Sequence, residues 1–171
     1  MARRSLQLFK AHAFGNDFLL ARADDLSDVD DIGDVARQVC DRHRGFGADG
    51  LMLIEPTAKG ARTRLWNADG GKAEISGNGI RCAAAWIAHE QGAAPGDTLL
   101  IDTEAGPRRL TLLEVDDERY TFRAEMGLPE QLREETIEID GQPVRCVVLR
   151  VGNPQCVVLG PATPERLHGI A

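Results

Sequence analysis

The residues best suited to chemistry lie in one run, Asn67-Ala68-Asp69-Gly70 leading on to Ser76-Gly77-Asn78-Gly79-Ile80-Arg81-Cys82. Gly77 and Gly79 free the backbone for close approach to a ligand. The helix expected to start here aims its unpaired N–H groups at the same spot, which makes a pocket for an anion such as a carboxylate. Ser76 stands at the lip of that pocket. It is either a reactive hydroxyl beside a bound carboxylate or the cap of the helix, bonding an N–H near Gly79.

Other turn segments share this composition: Gly15-Asn16-Asp17-Phe18, Gly77-Asn78-Gly79 and Gly152-Asn153-Pro154 are centred on asparagine, like Asn67-Ala68-Asp69-Gly70. An asparagine amide donates to a carboxylate and accepts from an ammonium, which suits an amino-acid zwitterion. Asparagine and glycine also build turns for purely local reasons. Their recurrence beside a helix N-terminus favours a site. Other chemistries fail on the residues present. Glu74 stands where a nucleophile elbow needs glycine. Phosphate-loop and dinucleotide fingerprints are absent, and His12, His43, His89 and His168 lack metal-ligand spacing.

The elements that must hold these residues are legible from periodicity. Leu6 to Lys10 alternates as an opening strand, Gly15-Asn16-Asp17 reads as a turn, and Phe18 to Ala21 resumes extended. An acidic stretch from Asp24 to Asp34 feeds a helix N-terminus, and Ile32, Val35, Ala36, Val39 and Cys40 predict a helix to about Arg42. Leu51 to Ile54 is a covered strand, and Arg62 to Trp66 is another. A second helix is predicted from Gly77 to Glu90, with Ile80, Ala83, Ala84, Ile87 and Ala88 inward. Strands follow at 98–102, 110–115, 120–124, 136–139, 144–151 and 156–159, with turns at Asp116-Asp117-Glu118 and Asp140-Gly141. The pattern is α+β, a mixed or antiparallel sheet wrapped around a central helix.

With 171 residues, 43% of them hydrophobic, the chain can bury a proper core. A net charge of −7 and the lack of a basic cluster argue against nucleic acid as a partner. No apolar run approaches the ~20 residues that span a bilayer. The basic start Met1-Ala2-Arg3-Arg4-Ser5 leads into no signal core, so the expected location is cytoplasmic. Cys40, Cys82, Cys146 and Cys156 are scattered without C-x-x-C spacing and read as small buried hydrophobes.

The runs Lys10 to Phe18, Cys40-Asp41-Arg42-His43 through Gly50, Asn67 through Cys82, and Gly152-Asn153-Pro154-Gln155-Cys156-Val157 carry a resemblance. Thr103-Glu104-Ala105-Gly106 and Met126-Gly127-Leu128-Pro129 add weaker punctuation. In that order they resemble the N-terminal half of the diaminopimelate epimerase family, within the wider group of cofactor-independent amino-acid racemases and epimerases. The resemblance implies proton transfer at an amino-acid α-carbon without pyridoxal phosphate or any other cofactor, in lysine and peptidoglycan precursor synthesis. Two cysteines then work on opposite faces of the carbon. The implied substrate contacts are Asn16, Asn67, Gly77, Asn78 and Asn153, and the first catalytic position is Ser76.

The chain departs from the family pattern where the chemistry is concentrated. Ser76 replaces the first cysteine, Gln155 replaces a supporting histidine, and Ala13 replaces a glycine. The second cysteine belongs to a later half. Residues 1–160 are therefore expected to form the family's N-terminal domain, with 161–171 a linker opening into a second one. The expected partners are a diaminopimelate-like amino acid and either a chain carrying the other half or a second copy. One such half offers one face of the carbanion, so the chain is expected to be inactive alone. The alternatives are a non-catalytic amino-acid-binding module and a dehydratase-like relative.

Overall fold

A computed structural model describes residues 6–139, 141–161 and 163–170. Two compact units divide between Met126 and Gly127.

The first unit holds a sheet in the order β1 (Phe9–Ala13), β2 (Asn16–Arg22), β3 (Gly50–Thr57), β4 (Gly60–Asn67), β6 (Thr98–Thr103), β7 (Gly106–Asp116), β8 (Arg119–Glu125), with the short β5 (Lys72–Ala73) beside β4. Two junctions, β2 with β3 and β4 with β6, are parallel, and the others are antiparallel. Each parallel junction needs a crossover, which α1 (Ile32–Cys40) and α2 (Gly77–Gln91) supply.

The helices sit on opposite faces of the sheet, and this explains the continuous apolar runs. Along β2, Phe18 and Leu20 pack with α2, while Leu19 and Ala21 pack with α1. Along β3, Met52 and Ile54 face α2, while Leu51 and Leu53 face α1. Further along, β6 to β8 contribute alternate residues to the α2 side, Leu99, Ile101, Leu110, Leu112 and Phe122. The helix α2 touches β1, β2, β3, β4, β6 and β8. Laid flat, seven strands would spread over about 29 Å, beyond the reach of a helix about 11 Å wide. The sheet therefore curls around α2, and the α+β expectation with a central helix holds.

Several local readings are corrected. The turn is Phe14-Gly15 alone, and Asn16 and Asp17 belong to β2, paired with Ala13 and His12. Positive φ at both residues, 55° and 85°, closes the hairpin in two residues. The first helix stops at Cys40, because Asp41 turns extended and its carboxylate accepts the N–H groups of His43 and Arg44. Strand β7 begins four residues before the predicted Leu110, since Gly106, Pro107 and two arginines, without apolar alternation, carry its early ladder.

The second unit pairs β9 (Glu130–Ile139), β10 (Gln142–Val151) and β11 (Asn153–Val158) in an antiparallel sheet, followed by α3 (Pro164–Ile170). Strand β9 also outruns its predicted extent, again through exposed charged residues. Of the turn expected at Asp140-Gly141, Asp140 lies outside the described residues, as does the basic start 1–5. Cys40, Cys82 and Cys146 are buried as expected, but Cys156 is exposed on β11. Among the described residues, no helix is long and apolar enough to cross a membrane.

Candidate amino-acid site at the start of α2

Ser76 is the N-cap of α2. Its extended backbone (φ −129°, ψ 123°) lets Oγ accept the Gly79 N–H at 3.0 Å. The N–H groups of Gly77 and Asn78 lie in the first turn, where a helix offers them no acceptor of its own. A Cβ built on Gly77 would meet only ordinary contacts, 3.5 Å to Arg81 Nη1 and to Met126 Cε. Packing does not require glycine there. Gly79 is different, because its Cβ would stand 2.7 Å from Met52 Cε, and glycine lets the first turn settle onto β3.

The first hairpin brings Asn16 to the same place. Asn78 Nδ2 points at Asn16 Oδ1 across 3.5 Å, and Asn16 Nδ2 donates to Asp49 Oδ2 at 2.7 Å. Asn67 ends β4 opposite Gly50, and the next residue, Ala68, donates its N–H to the Asp49 carbonyl at 3.0 Å. Gly71 and Gly70 close the turn on the Asn67 backbone, leaving its side chain exposed. Thus Asn16 meets Asn78, with Gly77 and Ser76 just before Asn78 in the chain, and Asn67 joins through the backbone bond of Ala68 to Asp49. Asn153 opens β11 in the second unit, half-buried.

Periodicity does not reveal the charged frame behind these residues. Arg42 holds Asp17 through both oxygens, at 2.6 and 3.2 Å, and reaches Asp49 Oδ1 at 2.9 Å. Lys10 Nζ lies 3.1 Å from Asp17 and donates to the Gly47 carbonyl. The end of α1 at Cys40 is what frees Arg42 for this role. A signal did exist: Asp17 and Asp49 each adjoin apolar strands, with a cation between them in sequence. Their pairing across 32 residues is not periodic.

The frame sets protonation. The bond from Arg42 holds the Asp17 carboxyl well below the usual range, Lys10 adds to this, and burial opposes both. Asp49 is lowered as well, first by the Asn16 amide. A carboxyl depressed in the fold below its unfolded value of about 3.9 gives its full stabilisation at neutral pH. That stabilisation is lost as pH falls from about 5 through the folded value. Urea midpoints should therefore change little above about pH 5 and fall steeply below about pH 4. The decline should be shallower in Asp17→Asn, and equal slopes in the two proteins would exclude this frame as the cause.

The two cysteines of the first unit offer no thiolate. Cys82, on α2, is 3% exposed, and burial pushes it up to about 11, so it stays protonated near neutrality. Cys40 is likewise raised to about 11 by burial. Among the described residues, no group of three His, Cys, Asp or Glu is placed to hold a metal ion. A cavity of about 500 Å³ opens at the other end of α2, beside Gln91, Gly92, Lys59 and Asp97. The helix carbonyls of α2 face that end and disfavour a carboxylate there.

The fold is shared with a hydroxyproline epimerase from Agrobacterium vitis, solved with trans-4-hydroxy-L-proline bound, at a TM-score of 0.68 and 18% identity over 91% of this chain and 51% of that one. A probable proline racemase from Agrobacterium radiobacter gives 0.67 and 18%, over 90% and 52%. The architecture is thus one that amino-acid racemases and epimerases use. The diaminopimelate epimerase family model matches residues 8–132. The diaminopimelate epimerase of Moorella thermoacetica is 36% identical over 166 residues, covering 89% of this chain and 59% of the relative. The chain belongs to the diaminopimelate epimerase family, and it spans about three fifths of the length of the curated relatives it matches.

Proposed function

We propose that the chain binds the carboxylate and ammonium groups of a diaminopimelate-like amino acid at the start of α2, as the N-terminal portion of an epimerase-type protein. The observation that carries this is the meeting of Asn16 and Asn78 in front of the first turn of α2, beside a glycine that packing does not demand. The first turn takes the carboxylate, Asn16, Asn67 and Asn78 orient the ligand, and the family resemblance alone adds Asn153 to the substrate contacts. In this reading residues 1–160 are the family's N-terminal portion and 161–171 lead into the rest. The whole protein would act in the cytoplasm on a lysine and peptidoglycan precursor, with no cofactor.

We also propose that this chain alone does not invert an α-carbon. A thiol with a pKa near 8.5 is readily tuned to a thiolate, whereas a serine hydroxyl needs an adjacent base. Gln155, at the family's histidine position, cannot titrate near neutrality. Loss of one positioned acid–base group costs roughly 10²–10⁴-fold, before the missing opposite face is considered. The capping bond of Ser76 favours a second reading, a binding module in which this residue only holds the helix end.

Calorimetry with diaminopimelate at millimolar concentration is the direct test, and absence of heat sinks the binding proposal. The Gly77→Ala variant should separate binding from folding. An alanine in the first turn stabilises by about 0.5–1 kcal/mol, whereas its methyl crowds the ligand and weakens binding roughly tenfold. Exchange of the diaminopimelate α-proton in deuterated water should not exceed the buffer rate. Exchange abolished by Ser76→Ala would refute the inactivity.

A further inference from the structure

We infer that Asp49 is a positioning residue, which by accepting from Asn16 Nδ2 turns the Asn16 amide oxygen toward the space in front of α2 and makes the site select a ligand carrying an ammonium. The inference rests on the binding proposal above and deepens it. An asparagine amide can face its neighbours either way round, and its partners decide which. An ionised carboxylate only accepts, so the group facing Asp49 Oδ2 at 2.7 Å must be the Asn16 NH₂. Oδ1 is thereby turned the other way, toward Asn78 Nδ2 at 3.5 Å. That separation is too long for a strong bond, so Oδ1 retains capacity for a ligand donor.

Asp49 is itself held on both oxygens. Arg42 Nη2 donates to Oδ1 at 2.9 Å, and the Asp17 N–H donates to Oδ2 at 3.1 Å. Arg42 cannot swing away, because Asp17 grips it through two bonds. Lys10 and Arg42 balance Asp17 and Asp49 in charge, so the frame offers an ammonium little net attraction of its own. Selectivity for the ammonium then comes from the orientation of one amide dipole.

The test has two arms. In the free wild-type protein, NMR should detect a scalar coupling across the hydrogen bond from Asn16 Nδ2 to Asp49 Cγ, and its absence overturns the orientation. Calorimetry then compares diaminopimelate with pimelate, the same dicarboxylic chain without amines. Wild type should prefer diaminopimelate, and Asp49→Asn should lose roughly tenfold of that preference while pimelate binding stays unchanged. Equal weakening of both ligands would mark a merely structural role and overturn the proposal. The double variant Asn16→Ala/Asp49→Asn separates orientation from charge. Removing Asp49 on the Asn16→Ala background should shift the preference no further, and a second full loss would show that Asp49 acts through its field instead. If wild type binds neither ligand, the binding proposal and the ammonium selectivity both fail, while the coupling still decides the amide orientation.

Discussion

Gly60→Ala is expected to cost the fold about 4 kcal/mol or more, a large part of the stability of a domain this size. Gly60 opens β4 with φ at +149°, a region that L side chains rarely adopt. An added Cβ would stand 2.1 Å from the Leu100 carbonyl oxygen and 2.8 Å from the Leu100 carbonyl carbon and nitrogen. All three are backbone atoms, so no rotamer change relieves the overlap. The same contact is the parallel junction at which β6 meets β4, with Gly60 opposite Leu100 and the Leu100 N–H bonded to the Lys59 carbonyl. Relief would pull β6 away and open the α2 core beneath it. Gly92→Ala is the control, since Gly92 ends α2 at φ +63° with nothing within 4 Å of its added Cβ. That substitution pays only for conformation, about 1 kcal/mol. Urea denaturation of the two variants checks the difference, and values within about 1 kcal/mol of each other would refute it.

Ile87→Ala should cost about 4 kcal/mol, near the upper end for such truncations. Ile87 is fully buried in the C-terminal half of α2, within the core cluster shared by that helix and the curled sheet. With strands on several sides and α2 pinned to them, little can move in to fill the space, so most of the vacated volume persists as a cavity. Leu113→Ala, on a strand residue that is 44% exposed, should cost less than about 1 kcal/mol in the same assay. The two sites reporting equal losses would mean that α2 is not the centre of the core. Because Ile87 anchors the helix whose first turn is the proposed carboxylate site, the same variant should also weaken the proposed diaminopimelate binding.

What the sequence reveals and what it conceals follow a physical divide. The inward stripe of α2 is a local 3.6-residue pattern, and Ile80, Ala83, Ala84, Ile87 and Ala88 are all buried as predicted. Ser76 as a cap is local too, since donor and acceptor lie three residues apart. The starts of β7 and β9 escaped detection because glycine, proline and charged residues can extend a ladder without showing apolar alternation. The short β5 has too few residues for any period. The asparagines were visible as turn formers, but their placement in front of α2 depends on which strands become neighbours. Asp49 was missed for the same reason: Asn16 and Asp17 are brought to it by the parallel pairing of β2 and β3, and Arg42 by the loop after α1.

The spacing of those partners bears on how such a site can be inherited. Asn16 and Asp49 are 33 residues apart, and Asn16 and Asn78 are 62 apart. The Asn67 to Cys82 run is recognisable as a contiguous word, yet grafted alone onto another scaffold it would carry the helix end without Asn16 or the frame behind it. The smallest heritable unit of this site is therefore the curled sheet with both of its crossover helices. Exchange between relatives can preserve the arrangement only by moving that whole unit.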